Sequence, residues 1–124
     1  CTVAGNAGAG IRVHTGGNPT VRECTFADSV DGPGIVVLDN GSGTFERCTV
    51  TGNANAGIAV GEGGNPTVRE CTVERNRGHG ISVWDTGLGT ITGCRLSGNT
   101  PREWWVEAGA KGTRRGNTPE APPA

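Results

Sequence analysis

The 124-residue sequence contains no methionine and no tyrosine, and only two phenylalanines and three tryptophans. So few aromatic rings exclude a core built on them and leave a thin, aliphatic one. No apolar run approaches the ~20 residues of a membrane span, and no segment has the zones of a signal peptide. There is no basic surplus. The net charge of −1 argues against the broad positive footprint of nucleic-acid or membrane-surface binding. Charge is uneven, with six Arg against nine Asp/Glu in residues 1–93 and five Lys/Arg against three Glu in 94–124. No P-loop, zinc-ligand spacing or nucleophile elbow is present, and no segment has the 3.6-residue apolar spacing of an amphipathic helix.

What is present is a period. Cysteines fall at 1, 24, 48, 71 and 94, in steps of 23, 24, 23 and 23. The stretch from Cys48 to Glu70 (CTVTGNANAGIAVGEGGNPTVRE) closely copies Cys1 to Glu23. A fixed period in this range marks stacked supersecondary units and accounts for the 23 glycines, which punctuate turns. Five cysteines rule out a complete set of internal disulfides. One per repeat, they read as a ladder of small buried hydrophobes. Stacked in a line, they cannot surround a zinc ion. Free thiols and the lack of a signal peptide favour the reducing cytoplasm. The missing start Met and the opening in mid-pattern are expected of an excerpt from a longer protein.

Superposed, the repeats give apolar columns. Val3, Phe26, Val50, Val73 and Leu96 align, as do Ile11, Ile35, Ile58, Ile81 and Trp104. Val13, Val37, Val60, Val83 and Val106 form a third column, and Val21, Phe45, Val68 and Ile91 a fourth that ends in Arg114. Short period-two runs of β-branched residues between Gly, Asn and Pro are strands. Three strands per repeat make one rung of a solenoid, and stacked rungs lie ~4.8 Å apart. The expected fold is all-β: a right-handed, single-stranded parallel β-helix of about five coils of 23–24 residues. Its hand follows the strong bias of strand–crossover–strand connections.

Polar columns support in-register stacking. Asn6, Asn53, Asn76 and Asn99, with Ser29 in the second coil, predict an asparagine ladder. Arg22, Glu46 and Arg69 alternate in sign, and so do Glu23, Arg47 and Glu70. Like charges directly opposite on neighbouring strands are destabilising, so alternation is what a parallel stack needs. The helix is expected over 1–116. Residues 94–116, with Glu103, Trp104 and Trp105 in place of smaller residues, form an atypical capping coil. The tail 117–124 (NTPEAPPA) is Pro-rich and expected to be disordered.

Repeats of the form C-T-V-x-G-N-x-x-x-G-I-x-V followed by G-x-P-T-V-R resemble the right-handed parallel β-helix repeats of the pectin-lyase-like superfamily. That superfamily holds lyases, polygalacturonases, epimerases, tailspikes and non-catalytic binding modules, so activity has to come from a site. His79, in Gly78-His79-Gly80, resembles the Gly-His-Gly motif of polygalacturonases. Those enzymes also need paired aspartates. The equivalent positions are Ala54-Asn55-Ala56 and Ser29-Val30-Asp31, and other coils repeat the small-Gly-Ile pattern, so the match follows from the repeat. Asp39, Glu62 and Asp85 form an outward acidic column flanked by Thr15 and Ala108. A calcium-dependent lyase would hold Ca²⁺ with such carboxylates and would take Arg12 as its base. His14, Leu38, Gly61, Trp84 and Glu107 form a column on the face where such proteins bind ligands. There, Trp84 beside a shallow groove floored by Gly61 would stack on a sugar or anchor a protein partner. Trp105 would extend the same surface.

The reading is a non-catalytic scaffold or binding module of a larger protein, without cofactor. Its partner would be a carbohydrate, a protein or other domains of the same chain. The candidate contacts are Trp84, Asp85, Glu62, Asp39, Arg12 and His14. The alternative is a polyuronate lyase or epimerase domain using Ca²⁺.

Overall fold

The computed structural model describes residues 1–84, 86–100, 102–107 and 112–119. Each repeat is one coil of three short strands. The first coil contributes β1 (Thr2–Ala4), β2 (Ile11–Val13) and β3 (Thr20–Arg22). The second contributes β4 (Thr25–Ala27), β5 (Ile35–Val37) and β6 (Ser42–Glu46), and the third β7 (Thr49–Thr51), β8 (Ile58–Val60) and β9 (Asn65–Arg69). The fourth has β10 (Thr72–Glu74), β11 (Ile81–Val83) and β12 (Thr90–Thr92), and the fifth β13 (Arg95–Ser97), β14 (Trp104–Val106) and β15 (Thr113–Arg115). Equivalent strands pair in parallel into three five-stranded sheets, led by β1, β2 and β3. The register is that of the repeat: Val50 pairs with Phe26, Ile58 with Ile35, and Phe45 with both Val21 and Val68. All four apolar columns point inward, and Ile35, Phe45, Ile58, Val68, Ile81 and Ile91 are completely buried.

The corners explain the polar columns. Glu23, Arg47 and Glu70 turn the chain from the third sheet to the first at φ 54, 53 and 54°. This left-handed backbone costs a non-glycine residue ~1–2 kcal/mol, and Gly93 and Gly116 take over in later coils. The alternation of sign becomes ion pairs. Arg47 reaches Glu23 at 3.4 Å and Glu70 at 3.8 Å, while Arg69 meets Glu46 at 3.0 Å.

Just past this corner Cys24, Cys48, Cys71 and Cys94 are buried and free, and Cys1 is exposed. The thiols of Cys48, Cys71 and Cys94 each donate to a carbonyl two residues back, at 3.5 Å. Hydrogen bonding to Cys48 and Cys94, together with burial, pushes the Cys71 thiol well above the ordinary thiol range.

The asparagine ladder runs from Asn53 through Asn76 to Asn99. Asn53 Nδ2 donates to Asn76 Oδ1 at 2.9 Å, and Asn76 Nδ2 donates to Asn99 Oδ1 at 2.8 Å. Each side chain also donates to a strand carbonyl, such as Val50 O from Asn76 at 3.3 Å. The ladder is shorter than the sequence pattern. The Ser29 hydroxyl turns to Gly32 O within its own loop and only its backbone N–H reaches Asn53 Oδ1, so Asn6 stands exposed outside the run.

At the far end Glu103 supplies the next acceptor. Its Oε1 takes Asn99 Nδ2 at 2.7 Å, which explains a carboxylate where earlier coils carry glycine. The sequence places the start of a loose tail at 117, but the chain stays on the stack to 119. Asn117 is buried, accepts Cys94 N–H at 2.9 Å and donates to Ile91 O at 3.0 Å. Thr118 pairs with Arg95, and Pro119 O accepts the Trp104 indole N–H at 2.9 Å. The remaining tail residues, 120–124, lie outside the described residues.

Candidate functional site

The middle sheet (β2, β5, β8, β11, β14) presents three outward columns, because residues alternate between core and surface along each strand. The first reads Ala9, Pro33, Ala56, His79, Arg102; the second Arg12, Val36, Ala59, Ser82, Trp105; the third His14, Leu38, Gly61, Trp84, Glu107. In the third coil all three positions are small: Ala56, Ala59 and Gly61. The surface is therefore recessed at that coil and walled by larger residues on both sides. The recess is an open notch of about 500 Å³, lined by Pro33 and Val36 below, Ala56 and Ala59 as floor, and His79, Ser82, Trp84 and Trp105 above, with Asn55 at the rim. Val36, Leu38, Ala56 and Ala59 form a small apolar cluster on this outer face, joined by Ala9 and Trp84.

Three rings border the notch. Trp84 lies down over Gly61, where any Cβ would collide with the indole. The shallow groove expected above Gly61 is thus filled by Trp84 itself, and the open space lies one column over. The rings of Trp105 and His79 stack with centroids 6.1 Å apart and planes 21° apart. Trp105 is 37% exposed, one of two large apolar residues so exposed among those described, the other being Val30. His79 Nδ1 is buried with no hydrogen-bond partner. Burial and then the neighbouring Arg102 guanidinium lower the His79 pKa below the ordinary histidine value, so the ring is neutral near pH 7.

Of the six residues the sequence proposes, five are described, and among those five only Trp84 lines this notch. Arg12 is exposed on β2, two coils from the floor, and His14 is exposed with Nδ1 2.8 Å from Thr15 Oγ1. Asp39 and Glu62 occupy tight turns closed by Gly41 N–H to Leu38 O at 2.9 Å and Gly64 N–H to Gly61 O at 2.8 Å. Both have φ of 49°, and Asn40 and Gly63 follow at 61° and 77°. Two successive left-handed residues make a turn of the I′ kind, which short polar residues tolerate best. Asp39 and Glu62 are exposed at these corners. Asp85 lies outside the described residues. Among those described, no group of three or more His, Cys, Asp or Glu is arranged to hold a metal ion.

A second hollow, of about 410 Å³, lies where the corner column falls to Gly93, between Arg47, Glu70 and Arg95. Its charges are of mixed sign, and Arg47 and Glu70 are already paired.

Sequence reasoning sets His79 aside as a product of the repeat and passes over Asn55, Ala56, Ala59 and Ser82. The signal was available: three outward columns shrink together in one coil and grow rings in the next two.

Comparison with curated proteins finds no match, and comparison with solved structures finds none. A family model does match. The right-handed beta helix region covers residues 1–118, and with three parallel sheets wound in that register, the chain belongs to the right-handed β-helix family.

Proposed function

We propose that this β-helix is a non-catalytic binding module whose notch on the middle sheet takes up a carbohydrate. The observation that carries the reading is the recess at Ala56 and Ala59, bordered by Trp84 and by the His79–Trp105 stack. Aromatic faces beside small residues suit the apolar face of a sugar ring, with hydroxyls directed to a few polar groups. Asn55 and Ser82 are such groups at the edge. The polyuronate-enzyme reading draws no comparable support, since Asp39 and Glu62 sit in exposed turns at the end of the strands, Arg12 sits on β2 in the first coil, and none of the three lines the notch.

A glycan array probed with the labelled chain, followed by tryptophan fluorescence titration of the hits, tests this. Saturable binding that falls at least about 30-fold in Trp105→Ala, the scale of an interface hot spot, would uphold it. Silence across the array would refute a carbohydrate ligand and leave the apolar notch to a protein partner. Turnover of a polyuronate by the chain would refute the non-catalytic assignment.

A further inference from the structure

We propose that the notch selects uncharged sugars and that His79 is its specificity-determining contact, donating Nε2–H to a ligand oxygen. This rests on the carbohydrate reading above and goes beyond it in naming the ligand class and the residue that reads it.

The first argument comes from the repeat. At the position of His79 the earlier coils carry Ala9, Pro33 and Ala56, so the coil needs no imidazole to close. His79 nevertheless buries Nδ1 without a partner, which costs folding free energy and calls for an explanation. Sites that break a local rule without structural gain are where function is expected.

The second argument fixes the proton. The nitrogen that carries it in a neutral imidazole is set by what the other nitrogen can bond. Nothing, donor or acceptor, faces the covered Nδ1; a bare lone pair there is less costly than a bare N–H, which favours the proton on Nε2. Adding a second proton would place a buried N–H on Nδ1 with nothing to receive it. Burial and Arg102 act in the same sense. The stack on Trp105 holds the ring's orientation. His79 is thus a fixed, uncharged donor at the notch.

The third argument concerns the other lining groups. Among the described residues, none of them carries a charge. The Asn55 Oδ1 is occupied by Ala56 N–H at 2.7 Å, which leaves its amide hydrogens to donate. Ser82 adds a hydroxyl. Neutral donors of this kind match hydroxyl and ring oxygens. A uronate carboxylate would instead lose water, and the nearby cation, Arg102 beside His79, lies exposed outside the lining, where an ion pair contributes little.

The test titrates the full chain with methyl glycosides of glucose, galactose, mannose and xylose, and with those of glucuronic and galacturonic acid. Tryptophan fluorescence and saturation-transfer NMR are the readouts. At least one neutral glycoside is expected to saturate the site, with its uronic counterpart at least tenfold weaker. His79→Phe keeps a ring to stack on Trp105 but removes the donor, and should weaken binding about three- to tenfold, the value of one neutral hydrogen bond. His79→Gln restores an N–H and should recover part of the loss, with far-UV circular dichroism confirming that each variant folds. Uronides binding as tightly as neutral glycosides, or His79→Phe binding like the parent, would overturn this inference and leave the carbohydrate reading intact. No binding of any glycoside would overturn both.

Discussion

Replacing Asn76 by Ala would remove the middle rung of the buried ladder. Four hydrogen bonds go with the side chain: those it accepts from Asn53 N–H at 3.0 Å and Asn53 Nδ2 at 2.9 Å, and those it donates to Val50 O at 3.3 Å and Asn99 Oδ1 at 2.8 Å. Some partners keep a second bond. Asn53 Nδ2 still donates to Phe26 O, and Asn99 Oδ1 still accepts Asn76 N–H. The Asn53 N–H donates to Asn76 Oδ1, and both residues are 1% exposed. An orphaned buried donor costs ~1–3 kcal/mol and each of the three further lost bonds ~1 kcal/mol, so the total is roughly 4–6 kcal/mol. Against the ~5–15 kcal/mol of a typical domain that is a large share.

Because each coil contacts only its neighbours, the loss should also uncouple the two ends of the rod. Urea unfolding followed by far-UV circular dichroism reports every coil, whereas fluorescence reports the last two, where Trp84, Trp104 and Trp105 reside. In Asn76→Ala the fluorescence transition should precede the circular dichroism transition; in the parent the two should coincide. Asn76→Asp separates shape from hydrogen bonding: it keeps the two accepted bonds, loses the two donated to Val50 O and Asn99 Oδ1, and buries a charge, so it should be at least as damaging. Asn6→Ala, at the exposed position outside the ladder, should stay within ~0.5 kcal/mol of the parent. A loss below ~1 kcal/mol for Asn76→Ala would refute the reasoning.

Three other outcomes follow from the coordinates. A Cβ on Gly57 would meet Val73 Cγ1 at 2.5 Å, Asn76 Nδ2 at 2.7 Å and Gly80 O at 2.8 Å, whereas nothing lies within 4 Å of one on Gly8. Gly57→Ala should therefore cost more than ~2 kcal/mol in chemical denaturation, with Gly8→Ala near neutral, and equal effects would contradict the close approach. In native protein an aromatic disulfide reagent should titrate one thiol rapidly, that of exposed Cys1, and all five only in denaturant. Fast reaction of two or more would mean the column opens. The lowered pKa of His79 means that the unfolded chain binds its proton more readily than the folded one. Its contribution to stability is thus constant above the unfolded pKa of ~6.5 and declines as pH falls below it. The ring's NMR titration should have its midpoint below the ordinary histidine value, and a midpoint above ~6.5 would reverse the sign.

The fold was legible because stacking acts on every coil at once. A core column must be apolar in each repeat, and a charged column must alternate in sign, so Ile35 and Ile58, or Glu46 and Arg69, carry the same message several times over. Departures from the repeat were harder to read. Ser29 resembles a conservative replacement for Asn, yet its side chain is too short to span neighbouring coils and turns inward on its own loop. Glu103 looks like a lost glycine until its carboxylate is seen to accept the last amide of the ladder. Asn117 looks like the start of a tail until it fills the place of the next cysteine.

The site stayed hidden for the opposite reason. A ligand surface on a solenoid is made by positions that differ between coils, and reading down one column weighs each difference alone. Trp84 is conspicuous in its own column, which is why it was found, but the space it borders depends on two columns beside it. Ala56 and Ala59 are individually unremarkable residues for an outward strand position, and their effect arises only because Gly61 is small in the same coil while Pro33, Val36, His79 and Trp105 are large in the coils around it. The acidic column is a one-column pattern too. Asp39 and Glu62 align because the backbone turns through two left-handed residues at each of those corners, a constraint of the coil that places carboxylates in register without making them converge. On such a scaffold, chemistry is better sought across a rung than along a column, since the rung is where the repeat is free to vary.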